Sequence, residues 1–371
     1  MKAYKVELKL TKEQKQKVKQ DIGNVRKVYN LYLNYVFGDK EDKPEKLNFI
    51  SGFDFSKKLN HEIINDHEYL RLTSSKAIKQ SIMNCDKAFK SWKKNKYKTG
   101  KPKFKKKTSK VGVYLPKNNP KGIVVERHKI KVPTYGWLRL KEFGYIPLRG
   151  EYKSVTLTRT VDDRYFCSVL VNEEMKNVVH REYSSGIGID LGIKMFVTTS
   201  DNQCFENINK TVNIKRIKKH LKFYSRKLSK KKYGSNNYYK LLKKKNALDK
   251  RLSNKRKEYY RSVANILVKA KPEFIALEDL SVKDMLKNRG LADKISEMNF
   301  YNFRLYLEQK AKENNIAIRY VDRYFPSSKT CSCCGSIKDK LKLSERVFKC
   351  DCGFEIDRDL NAAINIKNFA V

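Results

Sequence analysis

Acidic residues are scarce in this 371-residue sequence, where 40 Asp and Glu stand against 83 Lys and Arg for a formal net charge of +43. Such an excess repels itself in a compact fold unless a polyanion neutralises it, so a nucleic acid is the expected partner and a merely solvated basic surface is the weaker alternative. Long apolar runs are also missing. No stretch approaches the roughly 20 residues that span a bilayer, and Met1-Lys2-Ala3-Tyr4-Lys5 lacks the apolar core of a secretory signal, so no membrane partner is expected. A cytoplasmic chain follows, nucleoid-associated in a prokaryote or nuclear in a eukaryote. Cysteine is sparse outside one segment. Cys85, Cys167 and Cys204 stand alone and read as buried structural thiols, whereas Cys331, Cys333, Cys334, Cys350 and Cys352 crowd together as metal ligands do in a reducing compartment. The length allows two or three domains, each with its own core.

Residues 3–8 alternate as a strand, and Thr11-Lys12-Glu13-Gln14 starts a helix expected to reach Phe37. A polar loop at 39–46 and helices over 53–60 and 74–94 follow. From Lys87 to Lys110 there are 12 lysines and no acid, with Phe89, Trp92, Tyr97 and Phe104 among them. Interleaving of this kind suits nucleic acid, lysines meeting phosphates while rings stack on bases; the alternative keeps the rings in the core. Short strands are expected at 112–115, 123–125, 130–132, 137–140, 154–157 and 165–171, a pattern for a small barrel that the opening strand could join, which would make the helices between them an insertion. Residues 172–183 read as a polar linker.

Gly186-Ile187-Gly188-Ile189-Asp190-Leu191-Gly192 and Met195 to Ser200 form a hairpin whose first strand presents Asp190. An acid in an apolar strand needs a partner, a metal ion or the turn that it caps. Cys204-Phe205-Glu206 extends the hairpin. Lys210 to Arg261 then holds 21 Lys or Arg and only Asp249 and Glu258 as acids. Ile214, Ile217, Leu221, Tyr224 and Leu228, then Leu241, Leu248, Leu252, Tyr259, Val263, Ile266 and Leu267, repeat as two antiparallel helices joined at Gly234, a basic rod suited to a duplex backbone. Phe274-Ile275-Ala276-Leu277-Glu278 is a strand that sets Glu278 on the face of Ala276 and Phe274, with Asp279 turned elsewhere. Residues 282–297 show no period and read as a loop or lid, before a helix at 300–314 and a strand at 316–321.

Cys331-Ser332-Cys333-Cys334-Gly335 and Cys350-Asp351-Cys352-Gly353 are two knuckles with 15 residues between Cys334 and Cys350. Cysteine pairs followed by glycine indicate a structural zinc ribbon with Cys331, Cys334, Cys350 and Cys352 as ligands and Cys333 left over; a redox disulfide is the lesser alternative. Asp359 heads a short Ala/Ile helix, where alone it would read as an N-cap. If the strands of Asp190 and Glu278 are neighbours and the helix of Asp359 packs on them, the three acids converge on divalent metal. Two Mg²⁺ ions on carboxylates are the arrangement that hydrolyses phosphodiesters.

In order and spacing, IGIDLG, FIALEDLS and the cysteine ribbon followed by DRDLNAAINI resemble the three RuvC-like motifs of TnpB, the transposon-encoded RNA-guided DNA endonuclease family related to type V CRISPR effectors. TKEQKQKV, VRKVYN, GKPKFKKK, SVTLTR and FPSSKTCSCCG extend the likeness over nearly the whole chain. The resemblance implies catalytic roles for Asp190, Glu278 and Asp359, with Asp357 the lesser candidate for the third. It implies a mixed α/β and β, multidomain fold: a small β-barrel (1–10 and 111–175) with an inserted helical recognition domain (11–110), and an RNase H-like RuvC domain (184–330 and 354–371, including the basic hairpin 210–270) carrying the zinc ribbon (331–353). Expected cofactors are two Mg²⁺ ions, a structural Zn²⁺ and a guide RNA. Expected partners are that RNA and double- and single-stranded target DNA, bound by a monomer that cuts beside a short adjacent motif. The alternatives are an inactive RNA-guided DNA-binding repressor and a DNA transposase.

Overall fold

The computed structural model describes residues 1–38, 47–98, 100–117, 122–173, 185–288, 290–341 and 345–370, and its contacts divide the chain at Glu174/Met175 into two compact units. The loop expected at 39–46 lies outside the described residues, as does all of the linker expected at 172–183 except its first two positions. Of these, Asn172 instead ends a strand.

Unit one contains β1 (Lys2–Lys9), α1 (Lys12–Phe37), α2 (Gly52–His61), a 3₁₀ segment (Ile63–Leu72), α3 (Ser75–Lys94), β2 (Gly112–Pro116), β3 (Val124–Val125), β4 (Lys129–Val132), β5 (Gly136–Leu140), β6 (Glu151–Arg159) and β7 (Tyr165–Asn172). Thr11 and Gln14 close a capping box that satisfies two otherwise unpaired amides at the start of α1. The strands form one antiparallel sheet in the order β2-β6-β7-β1-β5-β4-β3, so the opening strand sits at its centre, paired with β7 and β5. Among the described residues no ladder joins β2 to β3, and the hydrogen bonding is that of an open sheet. Alternate residues of every strand nevertheless enter one core. Helices α1 to α3 have a separate core in which Phe89 and Trp92 are buried, while Tyr97 and Phe104 stay exposed. Of the four rings expected to interleave with lysines for stacking, two are therefore structural.

Unit two contains β8 (Ile187–Leu191), β9 (Met195–Thr199), β10 (Cys204–Glu206), α4 (Val212–Ser229), α5 (Asn236–Lys269), β11 (Phe274–Glu278), α6 (Val282–Met285), α7 (Ala292–Met298), α8 (Phe300–Glu313), β12 (Ala317–Val321), β13 (Val347–Lys349), β14 (Glu355–Asp357) and α9 (Arg358–Phe369). Its main sheet runs β10-β9-β8-β11-β12, with β8, β11 and β12 parallel and β9 and β10 antiparallel. Strand β11 is apolar on both faces, as a covered parallel strand must be. Ile187, Ile189, Ile275 and Leu277 pack under α5 and α8, whereas Phe274 and Ala276 face α9 with Ile366. The segment expected to be an irregular lid folds instead as α6 and α7, because Ile295 and Met298 find cover in the core. Arg289 lies outside the described residues.

The basic hairpin forms as expected, α4 turning into α5 through Gly234 at φ +82°, a left-handed conformation that glycine adopts at little cost. Ile214 and Ile217 pack on Leu252, and Ile266 alone of the proposed seam is exposed beyond a third.

Helix α9 approaches β8 closely because Gly188 has no side chain. A Cβ there would stand 2.1 Å from the Ala363 carbonyl oxygen and 2.5 Å from the Lys367 amide nitrogen, both backbone atoms with no rotamer to turn away. Gly188→Ala should therefore push α9 off the sheet and destabilise the fold by about 1–3 kcal/mol. Equilibrium urea unfolding tests this, and an unchanged midpoint would refute the close packing.

Candidate metal centre

The registered pairing of β8 with β11 runs Ile187 with Ile275, Gly188 with Ala276 and Ile189 with Leu277. One residue further along both strands come Asp190 and Glu278, at the carboxyl ends of neighbouring parallel strands and, by alternation, on the face covered by α9. The carboxyl end of such strands is where open α/β sheets bind ligands. Asp359 arrives from the first turn of α9, where the helix dipole favours a carboxylate.

The expectation of Asp359 as an N-cap is corrected by the structure. Asp357 does that work, its Oδ1 accepting from the amides of Asp359 at 2.9 Å and Leu360 at 3.1 Å. The Asp359 carboxylate is thereby released from capping, and Asp357 is committed to it. Asp279, the other acid beside Glu278, is held by Arg304 and Arg323, each at 3.1 Å.

Asp190 senses the other two acids. Burial pushes the Asp190 carboxyl up to about 8, and the negative charges of Glu278 and Asp359 push in the same direction against the opposing Arg358. Burial also raises Glu278, offset by a hydrogen bond from the Ser327 hydroxyl to Oε1. Among the described residues, the only Cys, His, Asp or Glu group with ligand atoms all within 4.8 Å of one another is the four cysteines. A half-buried carboxylate driven toward neutrality by burial and by two other acids is the environment that a divalent cation relieves, and all-oxygen donors suit Mg²⁺. An apolar cleft of about 200 Å³, lined in part by Leu191, Leu277, Phe300 and Tyr301, opens beside Glu278.

Cys331, Cys334, Cys350 and Cys352 form that second cluster, with Sγ separations of 3.9 Å for Cys331 and Cys352 and 3.5 Å for Cys334 and Cys350. Four thiolates about 2.3 Å from one zinc would lie about 3.8 Å apart in a tetrahedron, so the residues fit the ion. All four are free thiols, Cys333 is exposed outside the set, and of the three lone cysteines Cys85 and Cys167 are buried as expected whereas Cys204, on the edge strand β10, is exposed. The knuckles are alike. Gly335 and Gly353 sit at φ +78° and +84°, their amides donating to the carbonyls of Cys331 and Cys350. The second ligand pair has one intervening residue against two in the first, and the glycine turn is kept in both.

Sequence reading passed over two residues that join these sites. Asn361 is fully buried; its Oδ1 accepts from the Ser332 amide at 3.0 Å and its Nδ2 donates to the Thr330 carbonyl at 2.7 Å. Asn365, one turn on, donates to the carbonyls of Ser327 at 2.8 Å and Thr330 at 2.7 Å. Two asparagines at i, i+4 in an Ala/Ile helix were the available signal, since buried amides need partners.

Against this geometry stand the likenesses to known proteins. The "Cas12f1-like, TNB domain" model matches residues 300–366, the "Probable transposase" model of OrfB of IS605 matches 168–289, and a "Helix-turn-helix domain" model of the same group matches 1–37. The last segment folds here as β1 and one continuous helix. A Streptomyces pristinaespiralis protein named "Putative RNA-guided DNA endonuclease" is 34% identical over 221 residues, 60% of this chain and 54% of that protein. The "Putative RNA-guided DNA endonuclease InsQ" of Escherichia coli K12 is 26% identical over 317 residues, 81% and 75% of the two chains. A "TnpB-like protein" of Acanthamoeba polyphaga mimivirus is 30% identical over 244 residues, 59% and 44%. The match thus spans about half the length of the first of these relatives. In fold, the chain is similar to the protein of a Cas12f1-sgRNA-target DNA complex, with a TM-score of 0.61 at 15% identity over 96% of this chain and 83% of the other. The class is therefore a mixed α/β, multidomain protein of Cas12f1-like fold. Within that class, the matches bear out the likeness to the TnpB family that the motifs carry.

Two outcomes are expected at these sites. Between pH 4 and 8 the folded chain retains a proton on Asp190 that the unfolded chain releases, so in Mg²⁺-free buffer stability falls as pH rises through this window. Asp190→Asn removes that cost and should stabilise the Mg²⁺-free protein at pH 7 by about 1–3 kcal/mol, less than the full shift because the side chain keeps some solvent contact. Melting curves against pH test it; the advantage should vanish near pH 4, and a pH-independent difference would refute the assigned cause. Cys350→Ser should abolish stoichiometric zinc and weaken the ribbon, while Cys333→Ser keeps about one zinc per chain. Elemental analysis of the purified proteins decides, and equal zinc in all three would sink the ligand assignment.

Proposed function

We propose that this chain is an RNA-guided, Mg²⁺-dependent DNA endonuclease of a transposon. The observation that carries the reading is the electrostatic coupling of Asp190 to Glu278 and Asp359 at the carboxyl end of two parallel strands. In this reading Asp190, Glu278 and Asp359 hold two Mg²⁺ ions, and Cys331, Cys334, Cys350 and Cys352 hold a structural Zn²⁺. When bound, the Mg²⁺ ions supply an activated water and stabilise the leaving oxygen of the phosphodiester. The chain's own residues do the rest. Asp190 gives up its proton as positive charge enters, the Ser327 hydroxyl steadies one oxygen of Glu278, and no side chain acts as nucleophile.

The relatives named as RNA-guided DNA endonucleases support a guide RNA and target DNA as partners. Base pairing to that RNA would select the sequence, while the protein reads a short adjacent motif. Residues 1–10 and 111–175 are proposed as a barrel-like domain, 11–110 as the recognition insertion, 184–330 with 354–371 as the RuvC-like nuclease, and 331–353 as the ribbon. The basic hairpin 210–270 would follow the nucleic-acid backbone, its groove presenting Arg216, His220, Lys244, Arg251 and Lys255.

Asp190→Ala should abolish cleavage of a guide-matched duplex, by at least about 10³-fold, while RNA and target binding stay within about twofold. Normal cutting by that variant would refute the metal assignment. Sequencing the RNA that copurifies tests the guided reading, which absence of a discrete species would overturn. A repressor with a silent nuclease would bind the target and leave the wild-type substrate uncut.

A further inference from the structure

Glu278 is the one acid of the three whose carboxylate takes a hydrogen bond from a buried hydroxyl, and that hydroxyl belongs to the segment leading into the first zinc knuckle. The segment is held on both sides. Asn365 of α9 grips the Ser327 and Thr330 carbonyls, Asn361 grips the Thr330 carbonyl and the Ser332 amide, and the next residue is the cysteine at position 331. Thr330 adds a bond from its hydroxyl to the Pro326 carbonyl at 2.9 Å. Helix α9 bears Asp359, so one helix supplies an acid of the site and also the two amides that place the partner of another. Ser327 is 5% exposed and Asn361 0%, so water cannot replace these bonds without opening the packing.

We infer that Ser327 is a positioning residue that orients the Glu278 carboxylate for a divalent cation, and that Asn365 couples this orientation to the helix and the cysteine ribbon. The inference rests on the reading of Asp190, Glu278 and Asp359 as metal ligands. Its physical reason is that a carboxylate with one oxygen already bonded has fewer rotamers to lose when a cation arrives, and partners of metal ligands generally change affinity by about 10- to 100-fold.

The test is Mn²⁺ binding to the full chain, followed by electron paramagnetic resonance beside zinc content and melting temperature. Ser327→Ala should weaken Mn²⁺ binding by about tenfold while keeping one zinc per chain, and Ser327→Thr, which retains the hydroxyl, should stay within about threefold of wild type. Asn365→Ala should weaken it as well, and the double variant should be no worse than Ser327→Ala alone, since both act through one bond. A Ser327→Ala protein with wild-type affinity overturns the inference, as does one that loses zinc, for the hydroxyl would then serve the ribbon's fold. Additive effects overturn the coupling through Asn365. Glu278→Gln and Asp190→Asn separate this from the parent reading. If both bind Mn²⁺ like wild type, the acids are no metal site; if both lose it while Ser327→Ala does not, only the role of Ser327 falls.

Discussion

The contact on which the second unit depends is the close seating of α9 against β8, possible because Gly188 presents no Cβ to the Ala363 carbonyl and the Lys367 amide. Ala276 on the neighbouring strand and Ala362 and Ala363 on the helix continue the same economy of size, each 2% exposed or less. Small residues bring backbones together, and here the approach carries the first turn of α9 toward the ends of two strands. Without it, Asp359 would remain an acid at a helix start.

That approach also creates the tension of the site. Three carboxylates gathered where water is partly excluded oppose one another, and the rise of Asp190 to about 8 expresses the cost. The chain offsets part of it locally: Arg358 lies near, Ser327 donates to Glu278, and Asp279 is neutralised by Arg304 and Arg323. A carboxylate cluster of this kind inside a chain of +43 is a local inversion of sign. On the proposed reading it would suit a protein that gathers a polyanion over its basic surfaces and reserves one negative point for cations.

The cysteine ribbon and the acids are parts of one arrangement in unit two. Strand β14 runs directly into α9, Asp357 at their junction caps the helix, and Asn361 and Asn365 tie the helix back to the residues before and within the first knuckle. A ribbon closed by a metal would be stiff for its size, and stiffness beside the helix that carries Asp359 would keep that side chain in place.

Sequence by itself determined most of the elements and marked the candidate chemistry. Alternation located the strands, apolar recurrence located most helices and the basic hairpin, and cysteine-glycine knuckles pointed to a candidate metal ribbon, because each is a local pattern that backbone geometry reads directly. The three acids were legible as candidates for the same reason, each lying at the edge of an apolar element. Tertiary structure alone decided what those acids do to one another, that Asp357 and not Asp359 caps α9, that Phe89 and Trp92 belong to a core, that Val282–Met285 and Ala292–Met298 are helical, and that Ser327 reaches Glu278. These depend on contacts between segments far apart in the chain. Nothing in the 48 residues separating Ser327 from Glu278 announces their bond; it follows from parallel strands placing both at one end of a sheet, under a helix that only glycine lets so near.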